Sequence, residues 1–88
     1  MIVQQSPHVV CRRIGSSWVL LEKNRKYMRQ LNQTAGDIWQ RTKKPVHVDS
    51  LVSHIAAKYG IPVSEAEKDV RDFVTQYVRD GLLISVTS

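Results

Sequence analysis

Only one of the 88 residues is cysteine, so Cys11 has no partner in the chain for a disulfide, and no cysteine set exists to hold zinc or an iron–sulfur cluster. Among strand-forming neighbours in a reducing compartment it reads as a small buried thiol. Long apolar runs are also missing. Nothing approaches the roughly 20 consecutive apolar residues that cross a bilayer, and Met1-Ile2-Val3-Gln4-Gln5 lacks the basic start and apolar stretch of a secretion signal. The expected location is the cytoplasm, with no membrane partner.

Catalytic signatures are equally scarce. His8, His47 and His54 are scattered and form no HExxH pair or carboxylate–histidine cluster, so no metal site is expected. His47 reads as part of the turn into a helix and His54 as a surface or boundary residue. There is no GxGxxG or Walker sequence, and Gly15-Ser16-Ser17 is too short to cradle a phosphate. Nothing in the sequence places a base and an oxyanion hole beside Cys11. No catalytic residue and no cofactor is therefore expected, and the chain reads as a non-enzyme. At this length one small domain has room for a core but not for a core and a deep enclosed cavity.

Acidic residues are short in the first half. Residues 1–44 hold nine Lys or Arg against two acidic residues, whereas residues 45–88 hold four against six. Such a division suits a peptide partner as well as a phosphate backbone.

The organisation turns on Leu31-Asn32-Gln33-Thr34-Ala35-Gly36-Asp37-Ile38-Trp39. Before it the chain is strand-like; after it, helical. Residues 1–7 are polar after Met1-Ile2-Val3 and end at Pro7, which reads as a flexible lead-in. His8–Ile14, Trp18–Glu22 and Tyr27–Leu31 form three β-prone runs with turns at Gly15-Ser16-Ser17 and Lys23-Asn24-Arg25-Lys26, predicting an antiparallel meander with the third run at its edge. In that run Tyr27, Arg29 and Leu31 share one face, Met28 and Gln30 the other.

Asn32 is the expected N-cap of a first helix from Gln33 to about Thr42, ended by Lys43-Lys44-Pro45. Val48, Leu51, Val52, Ile55, Ala56 and Tyr59 stripe a second helix, closed by Gly60. Ser64 and Glu67 have capping-box spacing at the start of a third, whose stripe is Ala66, Val70, Phe73, Val74, Tyr77 and Val78 and which stops near Asp80-Gly81. Leu82–Val86 is a candidate final strand. The fold class is α+β, a three-stranded antiparallel sheet followed by three helices.

That outline fits a winged helix-turn-helix, and Arg12, Arg13, Arg25, Lys26 and Arg29 can meet a nucleic-acid backbone. The third helix argues against it. Glu65, Glu67, Asp69, Asp72 and Asp80 outnumber Lys68, Arg71 and Arg79, and an acidic helix is a poor instrument for a phosphate-lined groove. An edge strand at Lys26–Leu31 offers the other possibility, a peptide added as a further strand with its side chains directed at the third helix. Met28, Phe73 and Tyr77 supply apolar area, Arg25, Lys26 and Arg29 meet acidic partner residues, and Asp69, Asp72 and Gln76 meet polar or basic ones. Phe73 is also a candidate core residue.

The run Tyr27-Met28-Arg29-Gln30-Leu31-Asn32-Gln33-Thr34-Ala35-Gly36-Asp37-Ile38-Trp39 is followed by Leu51–Gly60, Ala66-Glu67-Lys68-Asp69-Val70, Phe73 and Gly81-Leu82-Leu83. Together they resemble the PqqD-like family of peptide-recognition domains, especially the small discrete proteins of lasso-peptide biosynthesis, known as RiPP recognition elements. The resemblance covers nearly everything from His8 to Val86, which reads as one domain over residues 8–86. It implies a winged-helix-like domain that binds the leader of a ribosomally synthesised precursor as an added strand between the third strand and the third helix. Carried onto this chain, the site would be Arg25, Lys26, Tyr27, Met28, Arg29, Gln30 and Leu31 with Asp69, Val70, Asp72, Phe73, Gln76 and Tyr77. It also implies a Tyr-x-x-Pro element in the leader, a separate cysteine peptidase that removes the leader, and an ATP-dependent cyclase acting afterwards. A variant of the family assists a radical enzyme, so an adaptor for another peptide-modifying enzyme is the alternative alongside nucleic-acid binding.

Overall fold

The computed structural model describes residues 1–22 and 27–86. Its elements are β1 (Ile2–Gln5), β2 (Val9–Ile14), β3 (Ser17–Glu22), β4 (Tyr27–Leu31), α1 (Gln33–Gln40), β5 (Val46–His47), α2 (Val48–Tyr59), α3 (Val63–Arg79) and β6 (Leu83–Val86). The expected meander is β2-β3-β4, antiparallel throughout, and three helices follow it. A second three-stranded sheet, β5-β1-β6, was not anticipated. The turn expected at Lys23–Lys26 lies outside the described residues.

The lead-in expected at residues 1–7 is corrected by β1. Ile2–Gln5 pairs residue by residue with Val86–Leu83, and Val3 is fully buried. Its polar residues are held by partners far along the chain: the Gln5 N–H donates to the Thr42 carbonyl at 2.9 Å, Gln5 Nε2 to the Trp39 carbonyl at 2.7 Å, and the Ser6 N–H to the Leu82 carbonyl at 2.9 Å. A strand satisfied in this way shows no alternation of apolar and polar residues. The final strand forms as expected, but it pairs with β1 rather than with the meander.

Asn32 caps α1 as its position predicts, its Oδ1 accepting from the Ala35 N–H at 2.8 Å. The helix stops at Gln40, two residues early, where the buried Thr42 turns its backbone N–H and its hydroxyl onto the Trp39 carbonyl. Helix α2 keeps its expected bounds, with Gly60 in the left-handed conformation at φ 62°. Helix α3 departs from the capping box. It begins at Val63, with the Pro62 carbonyl accepting from Glu65 and Ala66, so Ser64 already lies inside the first turn and its side chain caps nothing. Proline's fixed φ, here −58°, suits the N-cap, and its missing N–H costs nothing there.

One core joins these parts. Leu20 and Leu31 from the meander, Ile38 and Trp39 from α1, Leu51, Val52 and Ile55 from α2, and Ala66, Val70, Val74 and Tyr77 from α3 are buried together with Val3, Leu82 and Leu83. Cys11 is partly buried against this core rather than within it. Burial pushes its thiol pKa up, against the opposing effect of Lys43 and of the hydrogen bond from Gln40. No helix among the described residues is long and apolar enough to cross a membrane.

Helices α1 and α2 are tied by Asp37. Lys58 Nζ lies 2.8 Å from Asp37 Oδ2, His54 Nε2 3.2 Å, and Arg41 Nε 3.6 Å from Oδ1. Burial alone would raise the Asp37 pKa, but hydrogen bonds from Lys58 and His54 outweigh it and hold the carboxyl below its ordinary value. The same bond to Asp37 raises the Lys58 pKa. Replacing Asp37 by Asn should therefore lower stability by about 1–2 kcal/mol at pH 7, roughly 4–15 °C in melting temperature for a domain of this size. Stability from a depressed carboxyl is present above its unfolded value of about 4 and is lost as pH falls through its folded value. Melting curves of the two proteins should accordingly converge in that acid window; a constant gap would show that the ion pairs are not its source.

Candidate functional site: a cleft between an edge strand and a helix

The meander ends at β4, whose far side carries no further strand among the described residues. The hairpin that joins β2 to β3 fixes which of its backbone groups are free. Ile14 faces Ser17 across the two-residue turn Gly15-Ser16, with Gly15 at φ 64°, so these two form the closing hydrogen-bonded pair. The N–H and C=O of Trp18 then point to β4, onto Leu31, and by alternation those of Leu20 point onto Arg29. The backbone groups of Met28 and Gln30 consequently face outward. Two donors and two acceptors of an edge strand stand open to another chain.

Helix α3 supplies the opposite wall. Asp69, Asp72, Phe73, Gln76 and Asp80 follow one another at helical spacing along one edge. At one end Arg29 bridges the two walls: Nη2 lies 2.9 Å from Asp80 Oδ2, and the guanidinium sits 4.8 Å from the centre of the Tyr77 ring. The Tyr77 ring stacks on Phe73 with centroids 3.8 Å apart, and on its inner side it meets Trp39 at 6.2 Å. At the other end a pocket of about 350 Å³ opens between α1 and α3, lined by Asn32, Thr34, Ala35, Ile38, Asp69, Asp72 and Phe73. Small side chains on α1 make the room, an aromatic ring forms one side, and two exposed carboxylates form the rim.

The residues expected at the site divide into four groups. Arg29, Asp69, Asp72 and Phe73 stand at the cleft or its end pocket, and Gln76 shares their edge of α3. Leu31, Val70 and Tyr77 are buried at 4%, 0% and 6% exposure; they form the floor, and Val70 offers no surface at all. Val70 and Tyr77 lie on the inward stripe Ala66-Val70-Val74-Tyr77 and Leu31 on the inward face of the meander, so they stand beneath the cleft rather than at its opening. Met28 and Gln30 contribute backbone, while their side chains lie exposed on the outer sheet face, Gln30 Nε2 reaching Ser17 Oγ at 3.1 Å. Tyr27 begins β4 opposite Glu22, whereas Arg25, Lys26 and the Tyr27 side chain lie outside the described residues.

Sequence reading missed the contribution of α1. Thr34 and Ala35 were available as a small-residue pair beside the cap, but only the approach of α3 gives them a role. Asp80 was likewise missed as a partner of Arg29, 51 positions away.

Among solved structures, the chain is similar to "TbiB1 in Complex with the TbiA(beta) Leader Peptide", with a TM-score of 0.84, 25% identity, and coverage of 97% of this chain and 99% of that one. It also shares its fold with "Lasso peptide synthetase B1 complexed with the leader peptide", at a TM-score of 0.83, 23% identity and coverage of 94% and 98%. No curated protein matches the sequence. Residues 17–83, from the first residue of β3 to the first of β6, match the family described as coenzyme PQQ synthesis protein D. The strand edge, the capped helix and the facing third helix all fall within that match, and the chain belongs to the PqqD family.

Proposed function

We propose that this protein binds the leader segment of a ribosomally synthesised precursor peptide, laid as an added strand along β4 and facing α3. The observation that carries the reading is the open backbone edge at Met28 and Gln30 set against the Phe73 wall. The fold shared with two proteins whose structures hold leader peptides supports it. The backbone of β4 gives the leader direction and pairing energy; the pocket between α1 and α3 accepts an apolar or aromatic leader side chain, in keeping with a Tyr-x-x-Pro element. The chain's part is capture and presentation. By holding the leader it raises the effective concentration of the cleavage junction at a separate cysteine peptidase, before an ATP-dependent cyclase closes the product.

A backbone NMR titration with a Tyr-x-x-Pro leader peptide tests the reading, with a short DNA duplex as comparison. Leader capture shifts amides of Met28, Gln30 and the Asp69–Gln76 edge of α3 and leaves Ile2–Gln5 unmoved. A silent peptide titration together with salt-dependent DNA shifts around Arg12 and Arg13 would reassign the domain to nucleic-acid binding.

A further inference from the structure

Helix α1 separates two clefts. Thr34, Ala35 and Ile38 face the pocket already described, whereas Gln33, Gly36, Asp37 and Gln40 face a larger one of about 660 Å³ on the far side, bounded by the β2–β3 turn and the end of β4. Asn32 is the lip common to both. The floor of the far cleft is the half-buried Trp18 indole, which lies so close to α1 that a Cβ on Gly36 would stand 2.5 Å from its Cδ1. Arg13 sits over the same indole at 5.7 Å, its Nε donating to the Gly15 carbonyl, and pairs with no carboxylate among the described residues.

The charge of this cleft is one-sided. Asp37 is its sole acidic lining residue and is already compensated by Lys58 and Arg41, so Arg13 and the surplus cation leave a positive field over an aromatic floor. The near pocket has the reverse sign, with Asp69 and Asp72 at its rim. A polypeptide that leaves β4 at Asn32 passes from one to the other around the helix cap.

We propose that the cleft behind α1 is a second subsite for the same precursor peptide and takes an acidic stretch of it. The inference rests on the leader-binding reading. Carboxylates of the peptide meet Arg13, the amides of Gln33 and Gln40 complete the polar contacts, and the peptide backbone covers Trp18. Opposed charges at the two clefts would then give the bound chain its direction in addition to its place.

The test uses a Tyr-x-x-Pro leader peptide extended by three glutamates, at its amino or its carboxyl end, and matching peptides extended by three glutamines. The Trp18 indole N–H resonance reports the cleft, and that of the buried Trp39 serves as reference. At low salt one of the two glutamate extensions should tighten binding about threefold to tenfold over its glutamine counterpart and shift Trp18, with the gain lost in Arg13→Glu. The unextended peptide should bind Arg13→Glu as it binds the parent protein, since Arg13 lies outside the β4 cleft. Equal affinity of glutamate and glutamine peptides at both ends, with Trp18 unmoved and the β4 shifts intact, would overturn the second subsite and leave leader capture standing. Absence of β4 shifts with every peptide would overturn both. A DNA duplex that moves Trp18 while the glutamate peptides do not would assign the cleft to phosphate instead.

Discussion

Gln30→Pro is expected to weaken leader binding about tenfold to a hundredfold while the domain stays folded. The expectation follows from the register of the hairpin. The Gln30 N–H points away from β3, so removing it breaks no bond of the meander, and proline on an edge strand with its nitrogen toward solvent is tolerated. An incoming strand loses one hydrogen bond and meets the pyrrolidine ring where it must approach. Gln30→Ala changes only an exposed side chain and should bind within about threefold of the parent protein. Arg29→Pro is the contrasting case. Its N–H belongs to the ladder with Leu20, and its loss, with that of the Asp80 ion pair, should cost about 3 kcal/mol or more of stability. Isothermal titration and thermal melts on the three variants separate the effects. Full affinity in a folded Gln30→Pro protein would exclude strand addition at this position.

Phe73 and Tyr77 stack on each other but should fail in different ways. Tyr77 is buried between Trp39 and Arg29, so Tyr77→Ala removes ring contacts on both sides and should cost about 3–5 kcal/mol, much of what holds a domain of this size together. Loss of binding in that variant would report unfolding. Phe73 is half-buried and lines the pocket beside α1; Phe73→Ala should leave a cooperative melt, lowered by only about 1–2 kcal/mol, and weaken the leader about tenfold. If Phe73→Ala and Tyr77→Ala instead unfold alike, Phe73 is a core residue and the pocket has no aromatic wall to offer.

The contrast shows what the sequence makes legible. Helical periodicity identified the α3 stripe, and the spacing of Val70, Phe73, Val74 and Tyr77 placed all four near the core. It does not divide the boundary, because Phe73 and Tyr77 lie one turn apart at the edge of the same arc and only the positions of β4 and α1 decide which is covered. Asn32 was readable because a cap is a local bond, three residues long. The β1 strand was not, since the Gln5 side chain and the backbone N–H groups of Gln5 and Ser6 are satisfied by the distant carbonyls of Trp39, Thr42 and Leu82. Ser64 misled for a related reason. Its spacing to Glu67 satisfies the capping box, but the Pro62 carbonyl starts the helix two residues earlier. The Asp37 cluster joins residues from two helices whose relative placement is set by the core, so in sequence His54 showed only Ser53 and Ile55 beside it.

The second sheet has a mechanical consequence. Ile2 pairs with Val86 and Gln5 with Leu83, so the outer ends of β1 and β6, at Ile2 and Val86, lie side by side. Tension applied between those ends loads their cross-strand bonds one at a time, a peeling geometry that yields at lower force than sliding two strands past each other. A pull along the chain would open β1 from β6 and draw Val3 and Leu83 from the core, while β4 lies off the line of force in the other sheet. The open edge of β4 is thereby decoupled from the point at which the protein first gives way.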